Sequence, residues 1–408
     1  MKTAYPTLRS ARSALLVLVA ASSLATLPLA TSCANANATG DEPDAAPSVI
    51  PGNDGASGVT DASVDACGDG DASCTGYAPP CEETEWCPLE TGADPRRALT
   101  SIWGSGKDDV WAVGAAGSVI HWDGASWRDF STGSSYTLFG VGGSGPSDVW
   151  AVSTPAIFFH GGVGSDGGTA WTPMPTLAPD YAWDLLPALT SVWALSPDDV
   201  WIGGGDKINF PSIKLWHKIP DPEGGVAWQG VATCEYNGDC AVIRAIWGSS
   251  ASDVWAVGDR GKSYRARTVS YDAEVPTVFD LLETQATAAL RGVWGTGPDD
   301  VWAVGNRGTI RHHRAGVGPW EIVPSPTQQD LRAVWGSSKD DVWAVGDDGT
   351  VLHFDGSSWS SSPVSLPPGP KPNLYGIWGS GPDDVWIVGE GIVLRFTERR
   401  NAGAELTP

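Results

Sequence analysis

The stretch Leu99-Thr-Ser-Ile-Trp-Gly-Ser-Gly-Lys-Asp-Asp-Val-Trp-Ala-Val-Gly114 decides the architecture, because it recurs. Its Asp-Val-Trp core returns with tryptophan at 111, 150, 201, 255, 302, 343 and 386, seven copies spaced 39, 51, 54, 47, 41 and 43 residues apart. Eight positions before each core tryptophan stands Trp103, Trp193, Trp247, Trp294, Trp335 or Trp378, with Gly142 in the second copy. A constant internal spacing with variable separation means rigid units joined by tolerant loops.

Each unit reads as four short strands. The first ends in Trp-Gly, and a Gly/Pro/Asp turn leads to a second, Val-Trp-Ala-Val, apolar on both faces and therefore covered on both. The third is typified by Gly117-Ser-Val-Ile-His-Trp122 and Gly349-Thr-Val-Leu-His-Phe354, and an Asp-Gly hairpin signal follows at Asp123-Gly124 or Asp355-Gly356. The fourth opens with Trp127, Trp171, Trp228, Trp320 or Trp359, with Phe279 in this place in the fourth copy. Four-stranded units of this length match propeller blades. The seventh copy ends near Phe396 without a fourth strand, while Glu85-Trp86-Cys87-Pro88-Leu89-Glu90-Thr91 looks like an unattached one. Borrowing it would close the ring and leave no open edge. The expectation is an all-β fold: a seven-bladed β-propeller over 82–400, latched by its N-terminal strand, with a tail at 401–408.

The residues before the propeller read differently. Lys2, Arg9 and Arg12 precede an apolar run from Ala14 to Ala30, the layout of a secretory signal over 1–32 and too short and interrupted for a comfortable membrane span. Residues 33–81 read as an acidic flexible linker: positions 34–80 hold no Trp, Phe, Leu, Lys or Arg and cannot bury enough surface to offset their ordering entropy. Asp65, Asp69 and Asp71 there miss the EF-hand spacing, so no metal or other cofactor is expected. The 408-residue chain carries a formal net charge of −23, which argues against nucleic acid as a partner. Residues 34–90 alone hold 12 acids and no bases, so about half of that charge lies in the linker and the segment that enters the first blade.

Leu29-Ala30-Thr31-Ser32-Cys33 resembles the lipobox of bacterial lipoproteins, which implies lipidation at Cys33, anchorage in a membrane and, with Ala34 next, an outer-membrane address. Seven cysteines are odd for an exported protein. Lipid on Cys33 leaves six, and their local spacing suggests Cys67/Cys74, Cys81/Cys87 and Cys234/Cys240 as the simplest of several connectivities. The repeats resemble the Trp-Gly-Ser-Gly-Pro-Asp-Asp-Val-Trp-Ala-Val-Gly units of exported lipoproteins of myxobacterial type. More distantly, Gly349 to Trp359 is similar to the propellers of the photosystem II stability/assembly factor family and of sialidase-like repeat proteins. The resemblance covers about three-quarters of the chain and speaks to fold more than to function.

Candidate chemistry is sparse. The seven Asp of Asp-Val-Trp (109, 148, 199, 253, 300, 341 and 384) are spread around a ring and cannot converge on one substrate, so each is expected to accept backbone N–H groups in a turn. The third-strand histidines 121, 160, 217, 312 and 353, with Arg265 and Arg395 in the other copies, are equally dispersed, too far apart to hold a metal. One ring is asymmetric. Three residues before each Trp-Gly position, on the strand expected nearest the axis, stand Thr100, Phe139, Thr190, Arg244, Arg291, Arg332 and Tyr375. Arg244, Arg291 and Arg332 with Tyr375 suit a carboxylate or another anion, unless each Arg packs on a tryptophan or pairs with an Asp of the next blade. Tyr375 beside Arg332 echoes the sialidase nucleophile, but no activating Glu is assignable by spacing and the Phe-Arg-Ile-Pro motif is absent. The expected function is a lipid-anchored, non-catalytic envelope scaffold for a protein or glycan ligand, with a sialidase-like glycosidase or other carbohydrate-active enzyme as the alternative.

Overall fold

The computed structural model describes residue 81 and residues 84–396, apart from 155, 161–170, 175–187, 206–212, 221–225, 235–239, 273–274 and 315–318. The leader, Cys33, Cys67, Cys74 and the C-terminal tail lie outside the described residues. The rest is a seven-bladed β-propeller: seven four-stranded sheets, each holding one repeat copy. No described helix is long and apolar enough to cross a membrane.

Blade 1 shows the pattern. Its inner strand, Leu99–Gly106, turns at Lys107-Asp108 into Asp109–Gly114, then Ser118–Trp122 and the outer strand Trp127–Ser131. Trp103 faces Trp111 across the first hairpin. The inner strand does not stop at Trp-Gly, as the sequence suggested. A bulge beside Gly104 carries it two residues further, so that Gly106 pairs with Asp109 and only a two-residue turn remains. The Asp123-Gly124 hairpin forms around four residues: Asp123 Oδ1 accepts the N–H groups of Ala125 and Ser126, and Gly124 takes φ +89°.

The ring closes through the N-terminus. Trp86–Pro88 pairs antiparallel with Val393–Phe396 and becomes the fourth strand of blade 7. Trp86 faces Phe396 as Trp127 faces Trp122 and Trp359 faces Phe354 in their own blades. A disulfide joins Cys81 to Cys87 in the latch strand, and a second joins Cys234 to Cys240.

Tryptophan holds blade to blade. Each core tryptophan meets the fourth-strand aromatic of the following blade: Trp111–Trp171, Trp150–Trp228, Trp201–Phe279, Trp255–Trp320, Trp302–Trp359, Trp343–Trp86 and Trp386–Trp127, with centroids 5.1–5.9 Å apart and planes at 75–89°. Edge-to-face pairs add about 0.5–1.5 kcal/mol each beyond the area they bury. The inner-strand tryptophans explain the glycines. A Cβ on Gly336 would stand 2.6 Å from Trp294 Cη2 of the preceding blade, and one on Gly104 equally close to Trp378 Cη2. Only blade 3 carries Ala194 after its tryptophan, and only the blade before it has Gly142 where the others have an indole.

The Asp-Val-Trp carboxylates differ from expectation in their partners, which are side chains. Asp109 accepts from Ser105 Oγ (2.5 Å), Trp111 Nε1 (3.1 Å) and His121 Nε2 (2.6 Å). His121 stacks on Trp111 at 4.0 Å. His217, His312 and His353 repeat the stack and the bond to Asp199, Asp300 and Asp341. Arg265 and Arg395 substitute by donating to Asp253 and Asp384 from over the core indoles. Where blade 3 has Leu195 in place of the serine, Tyr271 supplies the missing hydroxyl, donating to Asp199 Oδ2 at 2.9 Å. Charge, ring and turn thus form one network in six blades. In blade 2 the residue facing Trp150 is Phe159, and His160, which the sequence reading aligned with the other histidines, falls one position further along the strand.

Candidate functional site: the axial cavity

Every inner strand begins with a β-bulge, between Leu99 and Ser101 in blade 1 and at the equivalent place in the other six. The extra residue is in turn Thr100, Phe139, Thr190, Arg244, Arg291, Arg332 and Tyr375. A bulged residue escapes the strict alternation of the ladder, and its side chain is re-aimed. All seven line one axial cavity of about 540 Å³. Two layers below the bulges follow from the same strands. The next residue is always Gly, Ala or Ser and lies close to the adjoining inner strand, so that a Cβ on Gly292 would stand 3.0 Å from Ala333 Cα. The one after is Ile102, Val141, Val192, Ile246, Val293, Val334 or Ile377, a buried aliphatic collar.

The arc from blade 4 to blade 7 is thus brought together, but its members are already engaged. Arg244 donates to both oxygens of Asp259, from Nε at 2.8 Å and Nη2 at 2.9 Å. Arg332 grips Asp347 in the same way, at 2.8 and 2.7 Å, and lies 5.9 Å from the Tyr375 ring. Arg291 donates from Nε to Asn306 Oδ1. Tyr375 donates its hydroxyl to Glu390 Oε1 at 2.7 Å. Each partner lies in its own blade, just past the glycine that ends the second strand, and not in the next blade as the sequence reading had allowed.

The electrostatics follow from these pairings. Hydrogen bonding to Asp347 raises the Arg332 pKa, while burial and then the charges of Arg332 and Arg244 lower that of Arg291. Burial, then the bond to Glu390, pushes the Tyr375 hydroxyl above its ordinary value, the wrong direction for a nucleophile. Glu390 is held down by the Asn373 backbone N–H and then by Tyr375.

A signal for these partners was present in the sequence. Fifteen residues after the bulge the copies carry Ala115, Thr154, Gly205, Asp259, Asn306, Asp347 and Glu390, polar acceptors wherever the bulge carries Arg or Tyr. His313, on the face opposite His312, is buried against Trp255 and Trp320, and neither ring nitrogen has a partner among the described residues. Among those residues no group of three or more His, Cys, Asp or Glu could hold a metal ion.

No protein-family model matches the chain, and no curated protein matches it by sequence. Solved structures do. A structure described as YCF48 bound to D1 peptide is similar to this chain with TM-score 0.55 and 18% identity, covering 78% of this chain and 96% of that one. YCF48 from Cyanidioschyzon merolae is similar with TM-score 0.57 and 19% identity, over 77% of this chain and 99% of the other. The WD40 β-propeller domain of Doa1 is similar with TM-score 0.55 and 13% identity, over 78% and 98%. What these structures share with the chain is the β-propeller fold, which supports a distant propeller relation.

Proposed function

We propose that the protein is a non-catalytic binding scaffold of the cell envelope, anchored through lipid on Cys33, that takes a protein or glycan ligand at its axial mouth through the arc Arg244, Arg291, Arg332 and Tyr375. One observation carries this reading: seven bulges aim an asymmetric ring of side chains, with arginine in three consecutive blades, into a single cavity. The YCF48 structure similar to this chain is described as bound to a peptide, which supports a macromolecular ligand. Arg291→Ala and Arg332→Ala should each weaken binding to an acidic peptide or an acidic polysaccharide, and unchanged titration curves for both would sink the reading. Cys33→Ser should move the protein out of the membrane fraction.

The glycosidase alternative gains one observation, since Glu390 is the carboxylate that the sequence left unassigned beside Tyr375. It loses more. Two of the three arginines are neutralised by Asp259 and Asp347, and the Tyr375 hydroxyl is shifted away from ionisation. Turnover of sialosides abolished by Tyr375→Phe would favour it over the scaffold.

A further inference from the structure

The arc holds three arginines, but only one has charge to spare. Arg244 and Arg332 each meet a carboxylate through two parallel N–H···O bonds, which closes them electrostatically and geometrically. Arg291, between them, meets an amide. Asn306 accepts the Nε proton and brings no negative charge, and no carboxylate lies within ion-pair distance of Arg291 among the described residues. Its two Nη groups make no hydrogen bond there. Asp330 and Asp259 favour its charge only from beyond ion-pair distance, and burial and the arginines on both sides outweigh them, so this guanidinium lacks a paired anion.

The opposite wall has the contrary character. Phe139, on the bulge of blade 2, is 43% exposed, an unusual degree for a phenylalanine on an inner strand. The residues flanking it have used their hydroxyls. Thr100 Oγ1 donates to Leu138 O and Thr190 Oγ1 to Ile243 O, each 2.5 Å away. Blades 1–3 therefore present an aromatic ring and methyl groups. The collar of Ile and Val beneath continues that apolar surface across the cavity.

We infer that the axial cavity selects a single carboxylate attached to an apolar body, the carboxylate bridging the free Nη groups of Arg291 and the body lying against Phe139 and the aliphatic collar. This rests on the scaffold reading and narrows it: a polyanionic glycan finds one free cation where the sequence promised three. The cavity, about 540 Å³, is large enough for one such group. A free carboxylic acid and the C-terminus of a chain ending in an apolar residue share this chemistry.

The test uses the purified protein and four probes: 3-phenylpropionate, a short neutral peptide ending in Phe with a free carboxylate, the same peptide amidated, and oligogalacturonate. Binding of 3-phenylpropionate or the free-acid peptide above oligogalacturonate, with the amide silent, is the expected result, and the stronger of the first two identifies the source. Asn306→Asp completes in blade 5 the pair that blades 4 and 6 already have. It should keep or raise the melting temperature while weakening the monocarboxylate about tenfold or more, the scale of a lost charge-assisted hydrogen bond. Phe139→Ser should weaken the same probe by about three- to tenfold through lost apolar contact. Oligogalacturonate binding best, or affinities indifferent to Asn306→Asp, overturns the inference and leaves the scaffold reading standing. Silence of all four probes on the unmodified protein overturns both.

Discussion

Trp86 stands edge-on to Trp343, with ring centroids 5.1 Å apart and planes at 82°, and is fully buried. The pair joins the latch strand to blade 6, while the backbone of the same strand is hydrogen-bonded to blade 7. Trp86 Nε1 also donates to Ser362 Oγ at 3.2 Å, and Ser365 N donates to Trp86 O at 3.0 Å. One residue thereby completes both the last sheet and the last blade-to-blade contact.

Trp86→Ala should accordingly cost about 3–5 kcal/mol, the range for truncating a buried tryptophan. Denaturant unfolding measures it. Amide exchange should quicken first in Val393–Phe396, which would become an open edge; a loss spread evenly over all blades would contradict the latch.

Gly336→Ala should destabilise by about 1–3 kcal/mol, since the new Cβ would fall against both Trp294 and the Asp341 carbonyl oxygen. Ala194 is the natural control, and Ala194→Gly should change stability by less than 1 kcal/mol or so. Thermal melts of the two variants give the comparison.

Acid should weaken the fold in two stages. His312 and His313 have pKa values lowered by burial, which outweighs the Asp300 bond to His312, so the folded state binds fewer protons than the unfolded one. Their contribution is complete above about pH 6.5 and is lost as pH falls below it, at up to about 1.4 kcal/mol per pH unit for each proton. Burial raises the carboxyl pKa of Asp109 and Asp341, but hydrogen bonds from His121 and His353 and from Ser105 and Ser337 bring both below the ordinary value. That stability is present above about pH 4 and is lost further down. Urea titrations at pH 7.5, 5.5 and 3.5 test both stages, and His313→Phe should flatten the first.

Asp341→Ala should cost about 2–4 kcal/mol, because it strands the donors of Trp343, His353 and Ser337 together. Tyr271→Phe should cost less, about 1 kcal/mol, since it removes one donor from Asp199 at a partly exposed position. Equal losses would mean that the network is not the unit of stabilisation.

The number of blades, the order of their strands and the closing role of the Glu85–Thr91 segment were legible because the repeat writes them in large residues. An indole every blade has to be buried, and only a neighbouring blade can bury it. The arginine arc was legible as a ring of positions, since equivalent residues of equivalent strands must come near the axis. The pairing of Arg244 with Asp259 and of Arg332 with Asp347 was not, although a fifteen-residue spacing records it. Reading that spacing requires knowing that each inner strand holds one extra residue.

The sequence by itself determined a seven-bladed ring and its tryptophan packing, because periodicity and residue size are local properties that survive in a string of letters. Only the tertiary structure decided what the arginines are. A single bulged residue sets where each side chain points, and a carboxylate across the hairpin sets whether its charge is spent. Direction and neutralisation depend on register and distance, and so the same guanidinium is closed in blades 4 and 6 and open in blade 5.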